Sequence, residues 1–484
     1  MLFNSYAFVV FFCSVVILYY TLPAWRQRKA LLLTASYVFY AAWNPPFVML
    51  LWISTIVDWF AAKGIHTCQF RHRRRLYLAV SLLANLGLLG YFKYGTFLLE
   101  NFLALAQSLG WNLTLAKPSI ILPVGISFYT FQTLSYTLDV YRRRMAPADS
   151  FLDYALYVTF FPQLVAGPIV RAGDFLPQCH QPKSFSGRAV GWGLSLMLLG
   201  LFEKIAIADG LLAPIAEAVY DSPRQPDFLS AWCGTFAFAG QIFLDFGGYS
   251  LCAIGAAMCL GFSIQDNFRS PYAAVGFSDF WRRWHISLSS WLRDYLYIPL
   301  GGNRRGRFRT LAAVSITMLL GGLWHGASWT FVVWGGLHGG YLMLERGVRR
   351  IVPRPLAASP LLQLPAGLLT FLLLCMAWVF FRADSLDRAS NMAATLLGLG
   401  PAGVKGILQP PPDGATRLLQ PESIALALGI TAVLLSIHWL TRNRSLADVA
   451  TRLPWWARSL VLAAMIVGIL GLSGEDHAFI YFQF

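Results

Sequence analysis

Twelve apolar runs recur along the whole chain, and they constrain its fold more than any other feature. They lie at residues 2–22, 30–44, 46–63, 76–94, 120–141, 189–208, 229–262, 310–326, 328–345, 361–381, 423–440 and 457–472. A helix that crosses the hydrocarbon core of a bilayer needs roughly 20 apolar residues. Several runs are shorter, so we expect some helices to be tilted or broken. The sequence predicts an all-α, polytopic integral membrane protein with a single membrane-embedded domain over residues 1–484.

Composition excludes two other classes of protein. Hydrophobic side chains make up 57% of the chain and charged ones 13%, whereas about 25% charged is typical of soluble domains. An ordinary soluble enzyme is therefore excluded. The net charge of +15 comes from 38 Lys and Arg against 23 Asp and Glu. Because the basic residues cluster in short loops between apolar runs, they indicate membrane topology, and no nucleic-acid partner is predicted.

The loop charges also predict an orientation. Basic clusters at 26–29, 63–75 and 142–144 follow the first, third and fifth runs, which places those loops in the cytoplasm and the amino terminus outside. The run 151–170, interrupted by Pro162, has basic loops on both flanks and is predicted to enter and leave on the same side. Such a re-entrant segment implies an internal cavity. The acidic loop 209–227 and the Pro-rich loop 399–422 are predicted to face outward.

The segment 266–309 holds eight basic residues against three acidic ones and is predicted to lie on the cytoplasmic side. Within it, 278–297 has the period of an amphipathic interfacial helix, with Ser278 as N-cap and His285 on its polar face. One interpretation is a plain membrane-surface anchor. The other is that its arginines and the GGNRRGR loop at 301–307 hold a polyanionic donor, because guanidinium forks and glycine backbone N–H groups suit phosphates.

The segment 310–345 is predicted to form two helices joined near residues 326–328, with His325 close to the joint. His325 lies sixteen residues past Arg309, or roughly 24 Å along a helix, which places it deep in the membrane. An ionisable group there is a functional-site hypothesis. Glycines flank both His325 and His338, so close helix packing with hydrogen-bonded imidazoles is the alternative. We favour packing for His338 and leave His325 open at this point.

A neutral imidazole is a general base that can be buried at low cost, because its unperturbed pKa is about 6.5. It suits acyl transfer from an activated thioester to a hydroxyl group, which requires no covalent nucleophile. The chain lacks G-x-S-x-G, H-E-x-x-H and G-K-[ST], so serine-hydrolase, metalloprotease and P-loop chemistry are unsupported. Its seven cysteines show no CxxC pair and no zinc spacing, and no metal site is predicted.

Several motifs together resemble the membrane-bound O-acyltransferase family, and within it the bacterial branch that includes an alginate O-acetylation membrane protein. They are LPVGISFYTFQTLSYTLDVYR at 122–142, FFPQLVAGPIVRAGDFLPQ at 160–178, QIFLDFGGYS at 241–250, FRSPYAAVGFSDFWRRWHISLSSWLRDYLYIPLGGNRRG at 268–306, LGGLWHGASWTFVVWGGLHG at 320–339 and FIYFQF at 479–484. Within them, the pair WRRWHISLS and LWHGASW is highly specific. The resemblance implies eleven or twelve transmembrane helices in a ring around a thinned central funnel. One departure is that Leu251 and Cys252 replace an acidic residue and its neighbour.

The resemblance also implies site residues. His325 matches the catalytic histidine of the family, and His285 matches its second functionally important polar position. Candidate substrate-binding residues in or beside the motifs are Arg282, Arg283, Asp294, Asn303, Arg304, Trp324, Asp245 and Tyr249.

The implied activity is a relay in the bacterial inner membrane. Acetyl-CoA would be the cytoplasmic donor, no cofactor would stay bound, and the acetyl group would pass to a periplasmic acetyltransferase of SGNH or alginate type that esterifies an exopolysaccharide. Three alternatives remain: a D-alanyl transferase of the teichoic acid type, a non-catalytic transporter of acyl groups or polysaccharide, and a scaffold for polysaccharide export.

Overall fold

Every regular element in the described part of the chain is helical. The computed structural model describes residues 1–116, 118–351, 359–399, 417–472, 474 and 479–480. Most of the loop 399–422 and residues 481–484 of the FIYFQF motif therefore lie outside the described residues. The chain divides into two compact units, one of residues 1–197 with 250–265 and the other of residues 198–249 with 266–484.

The first unit is built from the first nine helices and the end of the eleventh. They are α1 Tyr6–Thr21, α2 Trp25–Ala41, α3 Val48–Thr67, α4 Arg71–Ser108, α5 Ile126–Tyr141, α6 Phe151–Thr159, α7 Phe161–Leu164, α8 Ala172–Cys179 and α9 Gly187–Leu201. Polar contacts join them inside the apolar bundle. The carboxylate of Asp58 on α3 accepts hydrogen bonds from Ser81 at 2.5 Å and Asn85 at 2.9 Å, both on α4. Such bonds stabilise contacts between membrane helices.

The second unit begins at Leu198, in the last turn of α9, continues into a π-helical segment, Phe202–Leu212, and contains the candidate site. Its helices are α10 Ala213–Tyr220, α11 Phe228–Cys259, α12 Phe277–Phe280, α13 Ile286–Leu292, α14 Arg307–His325, α15 Trp329–Ile351, α16 Pro360–Arg382, α17 Leu386–Leu396, α18 Pro421–Thr441, α19 Leu446–Arg452 and α20 Trp455–Gly471. Its core is aromatic, with Trp284, Trp334 and Trp378 almost completely buried. Large rings supply much buried area for each ordered side chain.

Five described helical segments combine the length and the hydropathy needed to cross a bilayer. They are Pro45–Thr67, Arg71–Ser108, Phe228–Cys259, Leu361–Arg382 and Pro421–Thr441. Two shorter apolar helices are Tyr6–Thr21 and Trp455–Gly471. The protein is thus an all-α, multi-pass membrane protein. All twelve predicted runs coincide with helical segments, but the number of transmembrane helices stays a prediction.

Two predicted segments are interrupted or extended. The run 151–170 breaks at Phe160, between α6 and α7, and Pro162 lies in the first turn of α7, where its missing N–H is tolerated. The interruption agrees with the expected broken segment. The expected loop 209–227 is wrong in its first half, because the π-helical segment and α10 continue the helix to Tyr220.

The predicted amphipathic helix 278–297 is also wrong. The structure has a short helix, α12, then a turn, then α13 and a π-helical segment, Arg293–Tyr297. Ser278 is not the N-cap: Gly276 holds that position, and the Ser278 N–H and hydroxyl donate to Glu345 on α15. His285 is not on an exposed polar face but fully buried in the turn.

Candidate functional site

The candidate site begins where α14 ends, at His325. Two glycines set the distance between α14 and α15: a Cβ at Gly322 would lie 2.2 Å from the carbonyl oxygen of Phe331, and one at Gly335 would lie 2.3 Å from that of Met318. The absence of side chains there lets the two backbones approach closely. The predicted break is confirmed, since α14 ends at His325 and α15 starts at Trp329.

His325 is enclosed by aromatic rings. Its ring centroid lies 5.0 Å from that of Trp324, 5.0 Å from that of Trp334 and 5.3 Å from that of Phe381, all in edge-to-face geometry. Only 2% of the residue is exposed. Large rings on several sides restrict the rotamers of the imidazole, which is what a positioned base requires.

His285 is held in an unusual backbone conformation by a neighbouring irregular segment, residues 267–269. Its φ is +42°, in the left-handed region, which costs energy for a residue with a Cβ. Two backbone hydrogen bonds offset that cost: the Arg269 N–H donates to the Arg283 carbonyl and the Ile286 N–H donates to the Asn267 carbonyl, both at 2.9 Å. The turn is therefore stabilised by pairing with residues 267–269, which precede it in the sequence and lie outside it.

The hydrogen bonds of His285 settle its tautomer. Asn267 Oδ1 accepts from the Ser287 backbone N–H at 3.3 Å and from the Ser287 hydroxyl at 2.8 Å, so this atom is an oxygen and an acceptor. His285 Nδ1 lies 3.1 Å from the same oxygen and must carry the proton. The lone pair then resides on Nε2. Burial lowers the pKa of His285 from 6.5 to about 3, so the ring is neutral.

The two histidines belong to one buried group. Their ring centroids are 6.3 Å apart, and Trp324 contacts both, at 5.8 Å from His285 and 5.0 Å from His325. On the other side of His285, the ring of Phe246 on α11 lies edge-on at 4.7 Å. Two imidazoles at this distance can act on the same small substrate. One can accept a proton while the other donates a hydrogen bond, because a neutral histidine has one acceptor and one donor nitrogen.

Arg283 makes structural contacts, and its predicted contact with substrate stays a prediction. Its Nε lies 3.1 Å from the Asp279 carboxylate, and its Nη1 donates to the carbonyls of Arg442 at 2.7 Å and Arg269 at 3.3 Å. Arg442 also pairs with Asp279, at 3.0 Å. Burial raises the pKa of Asp279, but the Val275 N–H and the two guanidinium groups outweigh it and hold that pKa below its ordinary value.

Three other predicted substrate-binding residues are exposed, and a fourth, Asp294, is partly buried. Arg282 is exposed and lies 3.5 Å from Asp279, and Asp294 forms a two-point ion pair with Arg293 at 2.7 and 3.2 Å. Asn303 and Arg304 are exposed in the turn that precedes α14. The three exposed side chains therefore lie outside the buried histidine group, whereas Trp324 contacts both histidines. Substrate binding by these residues stays a prediction.

Asp245 and Tyr249 lie on α11, but their visible contacts are internal. One oxygen of Asp245 pairs with Lys204 at 2.5 Å, and the other accepts from the Ile480 backbone N–H at 2.8 Å. The Tyr249 ring stacks against Phe479 with centroids 4.8 Å apart. Both side chains thus hold part of the FIYFQF motif, which the expectation of substrate binding did not anticipate.

Sequence reasoning missed Asn267 and the aromatic residues Phe246 and Phe381. Asn267 directly precedes Phe268, in a stretch that reads as an irregular loop. Asn267 is difficult to identify from the sequence, because it is a single amide in the polar stretch QDN, at the edge of a motif. Phe246 stands inside the quoted QIFLDFGGYS motif, but an aromatic residue in an apolar run carries no signal of its own.

His338 lies in the same aromatic core as His325, and both rings pack on Trp334. It is fully buried, with its ring 4.5 Å from that of Trp334 and 5.1 Å from that of Trp281. Within the described residues neither ring nitrogen has a hydrogen-bond partner. The close packing predicted around His338 is therefore made by aromatic rings. The expected hydrogen bond across the helix contact is not formed among the described residues.

Comparison with known proteins finds one family model and several relatives that match the sequence of this chain. Residues 143–382 match the model of MBOAT, the membrane-bound O-acyltransferase family. A probable alginate O-acetylase, AlgI, of Azotobacter vinelandii is 41% identical over 83% of this chain and 79% of its own length. A peptidoglycan O-acetyltransferase of Helicobacter pylori is 33% identical over 100% of this chain and 98% of its own. A teichoic acid D-alanyltransferase of Streptococcus thermophilus is 27% identical over 45% of this chain and 55% of its own.

The matched region includes both histidines, Asn267, Trp324 and Phe381. Two relatives that are more than 30% identical cover most or all of the chain. The all-helical membrane fold agrees with such a match. The chain is an acyltransferase and belongs to the membrane-bound O-acyltransferase family.

Proposed function

We propose that the protein is an inner-membrane O-acetyltransferase that takes acetyl from cytoplasmic acetyl-CoA and passes it to a periplasmic partner for exopolysaccharide O-acetylation. In this proposal His325 is the general base, and His285 orients the donor or the acceptor. The observation that carries it is the buried pair of imidazoles, 6.3 Å apart, one of them fixed in a single tautomer by Asn267. Two relatives named as O-acetylating enzymes support acetyl as the transferred group.

The reaction balances without a cofactor. His325 removes the proton of an acceptor hydroxyl, and the oxygen attacks the thioester carbonyl of acetyl-CoA. The tetrahedral intermediate collapses with loss of the CoA thiolate, which takes the proton back from the imidazolium, giving an ester and free CoA. A neutral imidazole can act as the base in water-poor surroundings. It is uncharged before and after the reaction, because it holds the proton of the acceptor only while the transfer takes place.

Sidedness follows from charge. The basic segment 266–309, with exposed Arg282, Arg304 and Arg305, suits the cytoplasmic side and a polyanionic donor. In the same topology the amino terminus faces the periplasm. The acceptor is then a periplasmic acetyltransferase of SGNH or alginate type, which carries the acetyl group to the polysaccharide.

The direct test is a histidine substitution in the full-length protein. We expect His325→Ala to lower acetyl-dependent CoA release by at least about 1,000-fold, as loss of a base does, at unchanged abundance in the membrane. A matched control is His438→Gln, which changes another buried histidine whose Nδ1 accepts from the Tyr272 N–H at 3.3 Å and lies on α18. If His325→Ala keeps wild-type transfer, both the role of His325 and the proposal are wrong.

The identity of the donor needs its own assay. Purified protein is supplied with acetyl-CoA or with a D-alanyl carrier-protein thioester, and thioester cleavage is followed in the presence of the acceptor partner. The proposal expects cleavage of acetyl-CoA only. Cleavage of the carrier thioester would favour D-alanyl transfer, and no cleavage of either would favour a transporter or a scaffold.

A further inference from the structure

A buried ion cluster lies on the side of α11 that carries Asp245. The Lys204 amine, in the π-helical segment, lies 2.5 Å from an oxygen of Asp245 and 2.8 Å from an oxygen of Asp209. All three side chains are almost completely buried. Burying ions is costly, and apolar residues of similar volume often give equal or greater stability. A gain in stability therefore does not explain why this cluster is present.

The second oxygen of Asp245 has a specific task. It accepts a 2.8 Å hydrogen bond from the backbone N–H of Ile480. Next to it, Phe479 packs its ring on Tyr249 at 4.8 Å and near Phe246 at 5.7 Å between centroids. A charged acceptor binds a backbone N–H more strongly than a neutral one. Residues 479–480 are thus held against α11 by three contacts, with Asp245, Phe246 and Tyr249.

The same face of α11 reaches the histidine pair. Phe246, which contacts Phe479, lies edge-on to His285 with centroids 4.7 Å apart and an interplanar angle of 87°. Phe246 is fully buried. Any displacement of Phe479 opens space on one side of Phe246 and frees its ring to move away from His285, because buried rings are held by their neighbours alone.

We propose that Lys204 and Asp245 form a clamp for residues 479–480, and that Phe479 is a positioning residue that holds Phe246 against His285. The clamp makes this stretch a part of the acyl-transfer site without contact with substrate. The proposal rests on the proposed function for its kinetic readout, but its structural readout is independent.

The first experiment measures the clamp itself. Hydrogen–deuterium exchange of the peptide containing Ile480 is followed in purified, full-length protein. Asp245→Ala should speed this exchange by at least about tenfold, because the amide loses its acceptor. Asp209→Ala is the matched control: it removes the other carboxylate on Lys204, keeps the acceptor of the Ile480 N–H on Asp245, and should leave the exchange unchanged. Equal exchange in the two variants would overturn the clamp.

The second experiment measures positioning. Phe479→Ala should lower kcat for acetyl transfer by about 10- to 100-fold with KM for acetyl-CoA changed by less than about threefold, as expected for a misplaced catalytic group. Phe479→Leu, which refills most of the space, should restore kcat to within about threefold of the wild type. Wild-type kcat in Phe479→Ala, or no rescue by Phe479→Leu, would overturn the positioning role.

Asp245→Asn separates this proposal from substrate binding by Asp245. The amide oxygen can still accept from Ile480, so kcat should fall less than in Asp245→Ala, and KM should stay constant. A rise in KM with unchanged kcat would instead assign Asp245 to the substrate and overturn the clamp. If the wild type transfers no acetyl group at all, the proposed function fails, while the exchange contrast between Asp245 and Asp209 still tests the clamp.

Discussion

Asn267 holds His285 through one atom, the side-chain oxygen Oδ1, which lies 3.1 Å from Nδ1 of the ring. The Ser287 N–H and hydroxyl bind the same oxygen, so the amide cannot rotate to present its nitrogen. This contact determines which nitrogen of His285 has a lone pair. The residue that makes it, Asn267, lies outside both histidine motifs.

The first prediction concerns this tautomer. Asn267→Ala should lower kcat by about 10- to 100-fold, a range typical of residues that orient a functional imidazole, because His285 would no longer be held with the proton on Nδ1. Asn267→Asp keeps an acceptor at the same place and should retain more activity than Asn267→Ala. Equal activity of the two variants would contradict the orienting role. The measurement is acetyl-dependent CoA release at saturating donor.

The second prediction concerns acid stability. The pKa of His285 falls from 6.5 to about 3 on folding, so the unfolded chain binds a proton that the folded protein does not. The stability contributed by the neutral ring is complete above pH 6.5 and is lost as pH falls toward 3. Tm of the wild type should therefore fall more steeply between pH 7 and pH 4 than Tm of His285→Gln, which has no titrating group there. Parallel curves would contradict it.

The third prediction uses the close approach of α14 and α15. A Cβ at Gly322 would lie 2.2 Å from the Phe331 carbonyl oxygen, so Gly322→Ala must push the helices apart. We expect a loss of about 1–3 kcal/mol of stability and a lower kcat, because His325 lies one turn away. Gly340→Ala is the control, since a Cβ there meets nothing within 4 Å. Similar Tm values for both variants would show that the close contact is not needed.

The fourth prediction separates two adjacent arginines. Arg283 is a largely buried support for the His285 turn, whereas Arg282 is exposed. Arg283→Ala should lower Tm and kcat, with a loss of about 1–3 kcal/mol, because Asp279 and two carbonyls lose a hydrogen-bond partner while Asp279 keeps Arg442. Arg282→Ala should leave Tm unchanged and, if this surface meets the donor, raise KM for acetyl-CoA. A raised KM with unchanged Tm in Arg283→Ala would restore its substrate-binding role.

The sequence predicted the large elements of the fold but not the turn that carries His285. Apolar runs located the helices because their lengths are set by the membrane itself. The glycines around His325 likewise indicated a close pair of helices broken after residue 325. These features are local, so they can be found by inspection of a single stretch.

The conformation of His285 is not local. The period of 278–297 fits a helix, but the pairing of Arg269 with Arg283 and of Asn267 with Ile286 overrides it. Periodicity along one segment contains no information about a partner segment. The same holds for Asp245, since nothing near it in the sequence points to the Ile480 amide. The contacts of Arg283 with Asp279 and with two carbonyls could not be predicted either, because a guanidinium that binds carbonyls and one that binds phosphate look the same in a sequence.

The left-handed backbone at His285, with φ of +42° and ψ of +55°, limits what this position can become. Among residues with a Cβ, Asn, Asp and His enter this region most readily, while Val and Ile are strained there. The side chains compatible with the backbone are thus the short polar ones that can also bind Asn267. Natural drift and laboratory evolution alike should find few workable replacements here, all of them able to hydrogen-bond.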